Sequence, residues 1–111
     1  MREITCSTIT DAIKKMCIEA ATILPQDVEK ALSQKHDEED SALAKKTLQV
    51  LMDNAKLAQE KQMPICQDTG MAFVYVTMGQ EVHITGGSLN EAIQEGVRQG
   101  YTEGYLRKSV V

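Results

Sequence analysis

Between residues 64 and 70 the chain reads Pro-Ile-Cys-Gln-Asp-Thr-Gly, which sets a thiol, an amide, a carboxylate and a hydroxyl on successive residues. Pro64 disfavours helical geometry at Met63 and Gly70 punctuates the far end, so the stretch predicts a structured loop. The thiolate, not the thiol, is the nucleophile and metal ligand, and backbone amides and polar neighbours in such a loop favour it. Cys66 is therefore the leading candidate for chemistry, with a structural or redox-sensing thiol as the alternative. The other two cysteines are weaker candidates. Cys17 falls on the apolar face of a helical pattern, where a free cysteine behaves as a small hydrophobe, and Cys6 stands near a terminus expected to fray.

Other chemistry-bearing residues read more plainly as structure. His36 and His83 have no second His or Cys at ligand spacing, which argues against a zinc site. Thr85-Gly86-Gly87-Ser88 offers free amides to an anion, but it is first of all a helix cap. Tyr75, Tyr101 and Tyr105 are amphipathic packing residues.

The loop needs elements to hold it. Ile9, Ile13, Met16, Cys17, Ala20 and Leu24 recur at helical spacing, with Thr8 or Thr10 as the cap. Pro25 opens a second helix that carries Val28, Ala31 and Leu32 inward and stops near Gln34. His36-Asp37-Glu38-Glu39-Asp40 reads as a solvated loop, after which Ser41 caps a third helix with Leu43, Leu48, Leu51, Ala55 and Ala58 facing inward. Met71 to Met78 is apolar on both alternating faces and predicts an interior strand. Gly79-Gln80 then suits a two-residue hairpin turn returning through Val82 to Thr85. Ser88 and Glu91 form a capping box for a last helix bearing Leu89, Ala92, Ile93, Val97 and Tyr101. That helix carries Gly96, Gly100 and Gly104 at four-residue spacing, each about 0.8–1 kcal/mol worse than Ala in a helix, so the stripe predicts close approach of another backbone. Val110-Val111 has the composition of a strand beginning. The fold expected is mainly helical α+β with a short β-hairpin: a single incomplete domain over 1–111, helical over 1–62, with loop, hairpin and glycine-faced helix over 63–111.

Composition narrows the function. The chain has 111 residues, 12 basic against 16 acidic side chains and a formal net charge of −4. That balance gives no Lys/Arg-rich surface to track phosphates, and no nucleic-acid partner is expected. Thr69 to Gln80 is the longest stretch free of charged side chains, short of the ~20 apolar residues that cross a bilayer, so no membrane association is expected. There is no apolar leader at the start, and three widely spaced cysteines without a CxxC pair suit reduced thiols; the expected location is the cytoplasm. Area scaling for 12.3 kDa gives roughly 6,000 Å² exposed when folded.

Three segments together resemble a known family. Pro-Ile-Cys-Gln-Asp-Thr-Gly-Met-Ala at 64–72, Gly-Gln-Glu-Val-His-Ile-Thr-Gly-Gly at 79–87 and Gly-Tyr-Leu-Arg-Lys-Ser at 104–109 resemble the alpha subunit of the class I, iron-sulfur-dependent fumarate hydratases. The tartrate dehydratase alpha subunit belongs to the same family. The resemblance covers essentially the whole chain, with its specificity in Cys-Gln-Asp-Thr-Gly.

It implies an oxygen-sensitive 4Fe-4S cluster held by three cysteines, its fourth iron open to substrate. Cys66 matches the first ligand, while Cys6 and Cys17 match neither of the others, which are expected outside this chain. Gln67 and Asp68 would line the pocket for a small dicarboxylate substrate, with Asp68 handling a proton. Arg107 matches the arginine that holds a substrate carboxylate. The implied function is the N-terminal part of a hydro-lyase interconverting fumarate and malate, completed by a beta subunit or C-terminal domain and inactive alone. Tartrate dehydratase is the nearest alternative. A noncatalytic helical interaction module, docking through its glycine face, is an alternative of another class. Core surface left exposed in so short a chain would also favour a homo-oligomer.

Overall fold

A computed structural model describes residues 1–109. The element order is β1 (Arg2–Thr5), α1 (Cys6–Thr22), α2 (Gln26–Glu38), α3 (Ala42–Lys61), β2 (Val82–Thr85) and α4 (Leu89–Glu103). The mainly helical α+β class holds. The hairpin does not: β2 pairs in parallel with β1, in the register Arg2↔Val82 to Thr5↔Thr85. The turn at Gly79 forms, with the Val82 amide donating to the Gly79 carbonyl at 3.2 Å. Met71 to Met78, however, joins no strand ladder among the described residues. Phe73 is 71% exposed and Tyr75 92%, where the sequence pattern predicts burial. The expected strand start at Val110-Val111 lies outside the described residues.

Each strand runs directly into a helix. Thr5 accepts from the Thr8 amide and starts α1 earlier than the Thr8 or Thr10 cap expected from sequence. Cys6 is thereby fixed at a helix start and is not frayed. Ser88 accepts from the Glu91 amide and starts α4 as expected.

The two helices then pack parallel, as their contacts advance together along both chains. The Cys6 thiol donates to the Ser88 carbonyl at 3.7 Å, and the Thr10 hydroxyl donates to the Ala92 carbonyl at 2.9 Å. Further along, Lys14 pairs with Glu103 at 3.3 Å. The glycine stripe is the seam. A Cβ at Gly96 would stand 2.6 Å from the Ile13 Cβ and 2.8 Å from the Thr10 carbonyl oxygen. One at Gly100 would stand 2.8 Å from the Cys17 Cβ, and one at Gly104 2.9 Å from Cγ1 of Ile18. Hence the stripe is a packing surface within this chain. Ile13, Ala92 and Leu106 are buried here.

The second helical pair is more open. α2 runs to Glu38 and not to Gln34: Gln34 and Lys35 both donate to Glu38, so His36–Glu38 of the expected acidic loop are helical and only Glu39 and Asp40 lie beyond the helix. Ser41 caps α3 through the Ala44 amide. Ala58 is buried and Leu48 and Ala55 half-buried, but Leu43 is 77% and Leu51 49% exposed, against the inward placement expected. The molecule measures 58 × 27 × 24 Å and exposes 8370 Å², well above the roughly 6,000 Å² of a compact chain this size. No helix among the described residues is long and apolar enough to cross a membrane.

The α1–α4 seam gives a direct test. Ala at position 96 would gain about 1 kcal/mol of helix propensity, yet overpacking against a β-branched side chain and a backbone carbonyl costs about 3 kcal/mol. Gly96→Ala should therefore destabilise the chain by about 2 kcal/mol in a urea titration, whereas an unchanged midpoint would mean that α4 does not seat on α1 as described.

Candidate functional site

The Cys66 loop begins where α3 ends. Gln62 takes a left-handed backbone (φ 54°), and the paired bonds of a Schellman-type stop follow: the Gln62 amide donates to Gln59 and the Met63 amide to Ala58. This reversal, with Pro64 behind it, aims the chain back along α1. Ile65 is then pinned twice. Its amide donates to the Ala21 carbonyl at 2.9 Å, and its own carbonyl accepts from the Asn54 side-chain amide at 2.8 Å.

Beyond Ile65 the loop is organised by its own polar groups. The exposed Cys66 thiol donates to Gln67 Oε1 at 3.4 Å, and the Asp68 amide donates back to the Cys66 sulfur at 3.5 Å. Asp68 Oδ1 accepts from the Gly70 amide at 3.1 Å, an Asx turn closed by Gly70 at φ +66°, where a side chain would be strained. The Thr69 hydroxyl donates to the Arg107 carbonyl at 2.9 Å. Cys66, Gln67 and Asp68 thus occupy one turn as the sequence pattern predicts, and Thr69 brings the backbone of Arg107 beside them.

The Arg107 segment reaches that position through the end of α4. Tyr105 has φ 58°, its amide donates to Thr102, and the Leu106 amide donates to Tyr101, a second Schellman-type stop with a non-glycine residue in the left-handed position. Leu106 is driven into the core, 7% exposed, and Arg107 emerges exposed with no ion-pair partner among the described residues.

A cleft of about 740 Å³ lies between α1 and this loop. Ile13, Met16 and Ala20 of α1 and Met71, Phe73 and Val74 beyond the loop form its apolar walls, and Cys66, Asp68 and Thr69 contribute polar groups. The side chains of Gln67 and Arg107 do not line it. Cys17 faces the same cleft from beneath Gly100, and burial pushes its thiol pKa up, away from the thiolate. Burial acts in the same direction on Tyr101, followed by the influence of Cys17.

The donor set suits one ligand position of a shared metal centre. Cys66 is exposed and already accepts a backbone N–H, the kind of bond that supports a thiolate ligand. No group of three or more His, Cys, Asp or Glu side chains able to hold a metal occurs among the described residues. His36 and His83 lie apart from the loop: His36 contacts Asp37, and His83 sits in β2.

Sequence reasoning does not single out Asn54. It is a polar position on an amphipathic helix, and nothing in its neighbours announces a bond to a carbonyl eleven residues on. The left-handed Tyr105 is equally silent, since that position ordinarily carries glycine.

The family model described as fumarate hydratase (Fumerase) matches residues 10–111. The chain belongs to this fumarate hydratase family. Among curated relatives, "Putative L(+)-tartrate dehydratase subunit alpha" of Methanocaldococcus jannaschii is 38% identical over 104 residues, covering 93% of this chain and 36% of that protein. "Putative fumarate hydratase class I" of Geobacillus stearothermophilus is 31% identical over 102 residues, 91% of this chain and 20% of that protein. L(+)-tartrate dehydratase subunit alpha of Escherichia coli is 27% identical over 103 residues, 93% of this chain and 34% of that protein. The chain thus spans between a fifth and about a third of the length of these curated relatives.

Exposure and burial separate the thiols of this family member. In a time course of iodoacetamide labelling read by peptide mass spectrometry, Cys66 should be modified first and Cys17 last; equal rates would remove Cys17 from the seam.

Proposed function

We propose that this chain supplies one wall of the active site of an iron-sulfur-dependent hydro-lyase that adds water reversibly to fumarate to give malate. The observation that carries the reading is the Cys66 loop itself. A chain of the fumarate hydratase family holds an exposed thiol and an oriented carboxylate at one cleft, and the backbone of Arg107 is tethered to the same loop through Thr69.

In this reading Cys66 is one ligand of a 4Fe-4S cluster, with the remaining cysteines outside this chain. When bound, the cluster supplies Lewis acidity toward a substrate hydroxyl or carboxylate. The protein groups do the rest. Hydration places a hydroxyl on one carbon of the double bond and a proton on its neighbour, so a positioned group must exchange protons. Asp68 suits that task, because Oδ1 is fixed by the Gly70 amide while Oδ2 has no partner among the described residues. Gln67 lies beside it but outside the cleft lining, and with Oε1 accepting from the Cys66 thiol it would offer the N–H of its amide to the substrate. Arg107 offers a bidentate guanidinium fork to a substrate carboxylate, which the adjacent Lys108 replaces only with a point charge.

The cleft is open and much apolar surface is uncovered, which supports completion by a beta subunit or a C-terminal domain and inactivity of this chain alone. It also supports assembly as a homo-oligomer. Three unpaired cysteines support a reducing, cytoplasmic location. The 38% identity to the Methanocaldococcus jannaschii relative named as a tartrate dehydratase subunit supports a second reading, removal of water from L(+)-tartrate at the same site.

Asp68→Asn separates chemistry from loop structure, since the Asn oxygen can still accept the Gly70 amide. In the complete enzyme, assayed by loss of fumarate absorbance, kcat should fall by about 100-fold or more. An unchanged kcat would remove Asp68 from the reaction, and an enzyme that dehydrates tartrate without hydrating fumarate would select the second reading.

A further inference from the structure

The loop that holds Cys66 and Asp68 and the segment that holds Arg107 are 38 residues apart in sequence, and one side-chain bond joins them: Thr69 Oγ1 to the Arg107 carbonyl at 2.9 Å. We infer that Thr69 is a positioning residue whose hydroxyl sets the place of Arg107 relative to the Cys66–Asp68 turn, and so governs how tightly the dicarboxylate is held. The inference rests on the reading of Arg107 as carboxylate anchor.

Three observations support it. First, among the described residues the loop is otherwise tethered only at its leading end, where Ile65 is bonded to Ala21 and Asn54. Thr69 provides the second tether, immediately after Cys66 and Asp68. Second, Thr69 is half-buried and lines the cleft itself, so its bond to the Arg107 carbonyl is made at the wall of the site. Third, the chain before Arg107 is held in a strained form, with Tyr105 at φ 58° and 83% exposed. A left-handed non-glycine residue persists only where surrounding contacts fix it. Buried Leu106 fixes it on one side, and Thr69 captures the next carbonyl on the other. Without that capture the guanidinium keeps its charge but loses a fixed origin, and orientation is what a bidentate pair requires.

Thr69→Val keeps the branched shape and removes only the donor, whereas Thr69→Ser keeps the donor. In the complete enzyme Thr69→Val should raise KM for fumarate and malate about three- to tenfold, the loss of one hydrogen bond, with kcat changed by less than about twofold. Thr69→Ser should restore KM. In the 111-residue chain, the Arg107 carbonyl 13C resonance should move upfield in Thr69→Val and stay in place in Thr69→Ser. Arg107→Lys serves as the reference. If Arg107→Lys raises KM and Thr69→Val does not, the positioning role is overturned while the anchor reading stands. If Arg107→Lys also leaves KM unchanged, the anchor reading fails and the inference with it. Failure of Thr69→Ser to restore KM, or an unmoved carbonyl resonance in Thr69→Val, also overturns the inference.

Discussion

Everything near the site depends on two helix backbones coming closer than any side chain would allow. Gly96, Gly100 and Gly104 leave no room for a Cβ against Ile13, Cys17 and Ile18, and the two helices accordingly lie in parallel register from Cys6 opposite Ser88 onward. The parallel β1–β2 pair is a consequence of this docking, since each strand is the lead-in to one of the helices. The glycines forfeit helix propensity of about 1 kcal/mol each, and dispersion contact along the seam with burial of Ile13, Ala92 and Leu106 offsets it.

From that platform the site is assembled by two helix ends. α3 and α4 each stop with a Schellman-type reversal through a non-glycine left-handed residue, Gln62 and Tyr105. One reversal launches the Cys66 loop and the other launches Arg107. Left-handed backbone costs roughly 1–2 kcal/mol for an L-residue, so both ends need tertiary support. Met63 and Leu106 supply amides to the last turns, and Asn54 and Thr69 hold the segments that follow. The site is thus rigid where its backbone is tied and open where its side chains face the cleft.

Much of this is legible in the sequence, and the limits have a physical origin. The caps at Ser41 and Ser88 and the glycine stripe are local signals, read within a few residues, and they form as expected. The Cys66 turn is legible for the same reason, since its carboxylate and glycine bond to each other two residues apart. Partner choice is not local. Val82 to Thr85 has the alternation of a strand, but alternation does not say whether the neighbour is Met71–Met78 or Arg2–Thr5. Met71–Met78 has the composition of an interior strand but lacks a ladder partner and a covering layer among the described residues. Leu43 and Leu51 keep helical periodicity, but among the described residues the cover on that face of α3 reaches Ala55 and Ala58 and leaves both leucines exposed. The bonds of Asn54 and Thr69 end on backbone carbonyls, which every residue carries and no residue type marks.

The claim that organises the rest is that Cys66 binds the cluster. The direct measurement is iron and sulfide content together with cluster absorbance after anaerobic reconstitution of the complete enzyme, wild type beside Cys66→Ala. The account predicts a stable cluster and fumarate hydration in the wild type, with both lost in the variant. A Cys66→Ala enzyme that retains cluster and activity would contradict it.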